Sequence, residues 1–289
     1  MDQTMRGKVC LVTGATAGIG EITARELARR GATVLVVGRD PARVEATVGR
    51  IRREAGNDEV EPFVADLSVQ AEVRRLAGEV LQRHPRLHVL VNNVGAMFDP
   101  RRESADGIEM TFALNHLAPF LLTNLLLAAL KAGAPSRIVN VSSDAHRAVR
   151  GLVWDDLEAR RRYRAFRVYC QSKLANVLFT YELARRLEGT GVTANALHPG
   201  FVATNFFSGR GRIFWAMRRL ASLFAIRPEE GAKTTIMLAT SPELEGVSGQ
   251  FFERQRQSRS SAASHDEAAA RRLWEVSEAM VGLSPARTA

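Results

Sequence analysis

The chain has 289 residues, 46% of them hydrophobic and 25% charged, an ordinary globular composition with enough apolar material for a sizeable core. Its formal charge of +9 rests almost wholly on arginine and admits nucleic acid, an anionic membrane or a phosphate-bearing cofactor; no nucleic-acid motif accompanies it, so no nucleic-acid partner is expected. No apolar run is long enough to cross a bilayer, no leader precedes the first apolar run, and the two cysteines lack metal or disulfide-framework spacing, so a cytoplasmic protein is expected.

In chain order, short apolar runs alternate with amphipathic stretches. Residues 8–13 (KVCLVT), 33–37, 60–64, 88–92, 137–141 and 193–197 read as strands, several of them apolar on both faces as buried parallel strands are. Helical patterns fall at 19–30, 41–55, 69–83, 115–131 and 166–188. This alternation predicts an α/β fold, a doubly wound parallel sheet of Rossmann type in a single domain. Asp40 before Pro41 reads as a helix cap. Residues 253–264 are polar and read as a solvated loop before a last helix over 266–280.

The run Thr13-Gly14-Ala15-Thr16-Ala17-Gly18-Ile19-Gly20 follows the first strand and opens a helix. Glycines there permit torsions and close approach that a Cβ would block, and the helix N-terminus offers N–H groups to a pyrophosphate. The end of the second strand faces the adenosine ribose in dinucleotide folds. An acid there suits NAD, and an arginine suits the 2′-phosphate of NADP. Arg39 occupies that place, with Asp40 next to it, so NADP(H) is favoured over NAD(H). Asp66 with Leu67 follows the third strand and is placed to accept from the adenine amino group. Asn92, Asn93, Val94 and Gly95 end the fourth strand as a cofactor wall; both segments also read as ordinary turn chemistry.

Tyr169 and Lys173 lie four apart in a helical pattern and share one face, in a chain with three tyrosines and four lysines. An ammonium near a phenol lowers its pKa toward the range useful for acid–base work. The pair reads equally as an interfacial tyrosine and a solvated lysine. Ser142 and Ser143 end a strand where ligands bind in open α/β sheets, or else cap a turn. Asn115 opens a long apolar pattern as a cap, a water anchor or a bend.

TGATAGIG at 13–20, NNVG at 92–95, ALN at 113–115, NVSS at 140–143, YCQSK at 169–173 and HPG at 198–200 together resemble the short-chain dehydrogenase/reductases over nearly the full length. SKLAN at 172–176, ELARRL at 182–187 and SPELEGVSGQFF at 241–252 look like the retinol dehydrogenase-like branch. The resemblance implies that Tyr169 exchanges the proton with the substrate oxygen. It implies that Lys173 binds the nicotinamide ribose and tunes Tyr169, that Ser143 rather than Ser142 bonds the substrate oxygen, and that Asn115 holds a relay water. Pro199, Gly200, Val202 and Thr204 would close around the nicotinamide. Homo-oligomers paired through the long helices follow by analogy. Val94 stands where Ala is usual, and Glu21 where relatives often carry Lys. Microsomal relatives carry an N-terminal anchor, whereas only a few residues precede the first strand here, so none is expected.

Residues 201–227 interleave Phe206, Phe207, Phe214, Trp215 and Phe224 with Arg210, Arg212, Arg218 and Arg219. This segment reads as a lid over a small lipophilic carbonyl or alcohol, as a membrane-contacting basic surface, or as a packed helix. The resulting expectation is an NADP(H)-dependent oxidoreductase. A protochlorophyllide reductase-like enzyme acting on a conjugated double bond and a non-enzymatic nucleotide sensor are the alternatives.

Overall fold

The computed structural model describes residues 3–200, the backbone of 207–208, and residues 227–283. The first third of the chain is strand, helix, strand, as the period of its apolar residues dictates. β1 (Val9–Thr13), α1 (Gly18–Arg29), β2 (Thr33–Gly38), α2 (Pro41–Ala55), β3 (Val60–Val64), α3 (Gln70–Arg83) and β4 (Val89–Asn92) follow in turn. Then come β5 (Met97–Phe98), α4 (Met110–Phe112), a π-helical turn (Ala113–Leu117) and α5 (Ala118–Ala132). β6 (Ser136–Val141), a 3-10 turn (Asp144–Ala148), α6 (Ala165–Arg186), β7 (Val192–His198) and β8 (Phe207–Ser208) lead to α7 (Pro228–Thr240), β9 (Phe251–Glu253), β10 (Arg256–Ser258) and α8 (Glu267–Met280).

Among the described residues the main sheet has eight strands in the order β10-β9-β7-β6-β4-β1-β2-β3, parallel except for β10. The chain winds from β1 out to β3 and returns to β4 on the other side of β1. The switch point therefore falls between β1 and β4, where open sheets bind ligands at the carboxyl ends of their strands. Strand alternation divides the core in two. Leu11, Leu35, Phe63, Leu90 and Ile138 face α3, α5, α6 and α8, while Cys10, Val12, Val34, Val36 and Val139 face α1, α2 and α7. Both faces are covered, which is why these strands read as continuous apolar runs.

Three elements differ from the sequence expectation. The polar stretch 253–264 is not all loop: Arg256–Ser258 pairs antiparallel with Phe251–Glu253 across a turn at Arg254 and Gln255, both at positive φ. An edge strand exposed to water carries no apolar alternation, so its sequence looks like a loop. Helix α7 was not legible because Gly231 and three threonines give it weak propensity; its Ala232 is buried with Ile19 and Ile22 of α1, and that packing holds it. Asn115 does not open a helix. The helix starts five residues earlier, where the Glu109 carboxylate accepts from Thr111 N at 2.8 Å and Phe112 N at 2.7 Å. The resulting run Met110–Ala132 is long and apolar enough to span a membrane, but it is mostly buried as the core helix of this fold.

Candidate active site

The glycine run bends out of β1 with Gly14 at φ 64° and Gly18 at φ 57°. At Gly20 a Cβ would stand 2.4 Å from the Gly14 carbonyl oxygen, so only glycine lets α1 start this close to β1. Among the described residues no side chain caps α1, whose N-cap is Ala17, whereas neighbouring α2 is capped by Asp40, which accepts from Arg43 N at 3.1 Å. An uncapped helix start beneath a glycine cradle fits a pyrophosphate. The Glu21 carboxylate in that first turn meets Arg50 Nε at 2.7 Å, which offsets its charge.

Thr13 and Asn93 build this cradle from below. Thr13 Oγ1 accepts from Asn93 N at 2.9 Å and Val94 N at 3.1 Å and donates to Val91 O. Asn93 Nδ2 donates to Thr13 O and Gly14 O. Thr13 Oγ1 and Asn93 Nδ2 are thus committed within the protein, and they shape the loop. Ile19 and Leu67 are likewise buried, while Thr16 and Ala17 reach the surface of the cradle. Arg39 stands exposed at the end of β2, with no ion pair among the described residues. One oxygen of Asp66 accepts from Ser68 N and Ser68 Oγ, which fixes the turn after β3.

The other half of the site converges at the ends of β4, β6 and α6. Lys173 is buried, and its Nζ donates to Val141 O at 3.0 Å. A Cβ on Gly95 would lie 3.3 Å from that Nζ and 3.4 Å from Asn115 Oδ1, so glycine admits both groups to one spot. Asn115 Oδ1 accepts from Ala96 N at 2.8 Å, and its Nδ2 donates to Ala96 O and Ser172 Oγ. The side chain that a cap would turn outward is thereby clamped onto the loop after β4. The π-helical turn holds it there, with His116 buried alongside and its Nε2 2.8 Å from Ser277 Oγ of α8.

The two serines divide their work. Ser142 is buried and donates to Lys173 O at 2.9 Å, tying α6 to β6. Ser143 is half-buried, hydrogen-bonds the Tyr169 hydroxyl and also caps the 3-10 turn, accepting from Ala145 N at 3.2 Å. Lys173 Nζ lies 5.7 Å from the Tyr169 ring centroid. Burial pushes the Tyr169 phenol above its ordinary value, and the Ser143 bond pulls it only part of the way back. Burial also pushes the Lys173 amine down to about 8. The expected lowering of the phenol by the ammonium is not found, and desolvation governs the group.

Sequence reasoning passed over Ser172, whose Oγ bridges Tyr169 O and Asn115 Nδ2, although it directly precedes Lys173. It also missed Gln171, which donates to Gly151 O and accepts from Val153 N, holding that loop on α6. Pro199 and Gly200 close the end of β7 and are half-buried, with Gly200 at φ 90°. Val202, Thr204 and nearly all of the expected lid over 201–227 lie outside the described residues.

A switch-point glycine cradle beside half-buried Ser143 and the buried Tyr169 and Lys173 fits a dinucleotide-dependent oxidoreductase. Residues 8–212 match the short chain dehydrogenase family. The chain is 46% identical over 299 residues to retinol dehydrogenase 14 of Homo sapiens, covering 96% of this chain and 88% of that protein. It is 45% identical to human retinol dehydrogenase 13, covering 97% and 86%. Among solved structures it resembles an uncharacterised protein from Mycobacterium paratuberculosis, with TM-score 0.78 and 35% identity over 96% of this chain and 94% of that one. It also resembles Pseudomonas aeruginosa RhlG in its NADP active-site complex, with TM-score 0.67 and 26% identity over 87% and 96%. The chain belongs to the short-chain dehydrogenase/reductase family, in its retinol dehydrogenase-like branch, and is an oxidoreductase of the CH–OH/C=O pair.

Proposed function

We propose that the chain interconverts a small lipophilic alcohol and its carbonyl with NADP(H), using Tyr169 as the acid/base. The observation that carries this reading is the convergence of Ser143 on the Tyr169 hydroxyl beside a buried Lys173. When bound, the nicotinamide supplies or takes the hydride. The glycine cradle Gly14–Gly20 would hold its pyrophosphate, and Gly95, Pro199 and Gly200 would wall its nicotinamide end. Ser143 donates to the substrate oxygen and sets its distance from Tyr169. Burial keeps Tyr169 protonated at neutral pH, the form that delivers a proton to a carbonyl oxygen. Lys173 remains largely an ammonium at pH 7 and would hold ribose hydroxyls. Asn115 anchors the loop that Lys173 approaches, and its remaining acceptor capacity would serve a relay water.

The lipophilic substrate class is supported by the retinol dehydrogenases named above.

NADP(H) over NAD(H) is supported by the exposed Arg39 and by Asp40, whose carboxylate is engaged as the α2 cap. Arg39→Ala is expected to weaken NADPH binding about 10-fold and leave NADH unchanged, since a charged hydrogen bond is worth about 1.5–3 kcal/mol. Fluorescence titration with both cofactors measures this, and an unchanged NADPH affinity overturns the preference.

A further inference from the structure

His146 is a fully buried side chain with no part in the chemistry above, and every polar atom of its ring is accounted for. Ser261 N donates to its Nε2 at 3.0 Å, so Nε2 carries no proton. The neutral ring must then hold its hydrogen on Nδ1, which faces the Ser143 carbonyl oxygen at 2.6 Å and donates to it. Burial lowers the His146 pKa and keeps this tautomer at neutral pH. The ring also lies 4.9 Å from the Phe251 ring of β9.

The next residue makes a second fastening. Arg147 Nε meets Asp144 Oδ1 at 2.8 Å, and its Nη2 meets Glu253 Oε1 at 2.6 Å and Arg259 O at 2.7 Å. The turn that begins at Ser143 is thus tied to the β9–β10 hairpin and to the segment after it. Among the described residues, His146 alone reaches the Ser143 backbone, through its ring and its own N–H. The Ser143 hydroxyl is two bond rotations, about Cα–C and Cα–Cβ, from that anchored carbonyl and is the group that touches Tyr169.

We propose that His146 is a positioning residue: it fixes the Ser143 peptide so that the hydroxyl is held on the line between Tyr169 and the substrate oxygen. The segment running from β9 to Ser261 is then the back wall of the active site. This inference rests on the proposed role of Ser143. A group misplaced by about 1 Å costs on the order of 100-fold in rate, so a partial loosening is expected to cost about 10-fold.

The test is His146→Phe, which keeps a ring against Phe251 and removes both hydrogen bonds, assayed by NADPH oxidation with lipophilic aldehydes. The expected result is a kcat about 10-fold lower with an unchanged KM for NADPH. In a Ser143→Ala background the same change is expected to cost nothing further, because its route to the chemistry is already cut. A structural defect alone would add its loss in both backgrounds. If the Phe variant does not fold, His146→Asn and His146→Leu give the same contrast. Asn keeps a donor where Nδ1 stands and should retain most of the kcat, and Leu should not. Wild-type kcat in His146→Phe, full additivity with Ser143→Ala, or equal rates for Asn and Leu overturns the proposal. Tyr169→Phe in the same assay separates the two readings: if it turns over normally, the catalytic assignment fails. If it is inactive while His146→Phe is normal, only the positioning role fails.

Discussion

The two ends of α6 put charged groups to opposite uses. In its N-terminal half Tyr169 and Lys173 are buried, and Lys173 Nζ is held by a backbone carbonyl. Burial alone governs Lys173, pushing it down to about 8. In the last turns Glu182 is almost as buried, but Arg185 Nη2 and Arg186 Nε each reach its carboxylate at 2.8 Å. Burial pushes that carboxyl up, and the two arginine hydrogen bonds outweigh it and bring it below its ordinary value. A buried charge with full ionic partners is inert structure. One held without a countercharge stays titratable near neutral pH and available to chemistry.

The sharpest break of that contrast is Tyr169→Phe, which removes the proton-transfer group while leaving its ring. Loss of a positioned acid costs about 10² to 10⁴-fold, so a kcat near the lower limit of detection is expected with NADPH binding retained. Cofactor titration alongside turnover reads both. Retained turnover would place the chemistry elsewhere.

Lys173→Met comes next and has a second signature. An unfolded lysine titrates near 10.5 and the folded Lys173 near 8. Between those values the unfolded chain binds more protons, so this group makes stability rise with pH through the window. Below about pH 8 the cost of burying the ammonium is present in full. The change in urea midpoint on going from pH 7 to pH 10 should therefore be less favourable to the folded state in Lys173→Met than in the wild type, and kcat should fall about 100-fold. An equal pH response in both proteins removes the claim that burial governs this lysine.

Glu182→Gln, at the inert end, should show the smallest effect. The arginines are partly exposed and can turn to water, so about 1 kcal/mol of stability is expected to go, with kcat unchanged. Chemical denaturation and a rate assay on the same sample check it. A drop in kcat would show that the two ends of α6 are coupled.

Much of this was legible in residue order because it is local. The glycine run needs left-handed torsions at Gly14 and Gly18, and any sequence that supplies them after a buried strand advertises its turn. The spacing of Tyr169 and Lys173 follows from helical period alone. Arg39 and Asp40 sit where the end of β2 must lie, and the Asp40 cap was readable from Pro41 beside it. The bracing was not readable in the same way. Nothing in residue order marks His146, Ser172 or Gln171 as a brace. Their partners lie far along the chain: His146 is met by Ser261, 115 residues away, and Ser172 by Asn115, 57 residues away.

Burial patterns, caps and glycine torsions were determined by the sequence itself, because each depends on neighbours within a turn or a strand. That was enough for the doubly wound sheet, the cradle and the Tyr–Lys face. The tertiary structure alone decided three things. The Asn115 amide is clamped to Ala96 within a π-helical turn and does not cap a helix. The polar stretch after β9 pairs as an edge strand. Desolvation, not the nearby ammonium, sets the Tyr169 phenol. All three depend on groups brought together from distant segments, and on water excluded only once the chain has closed over them.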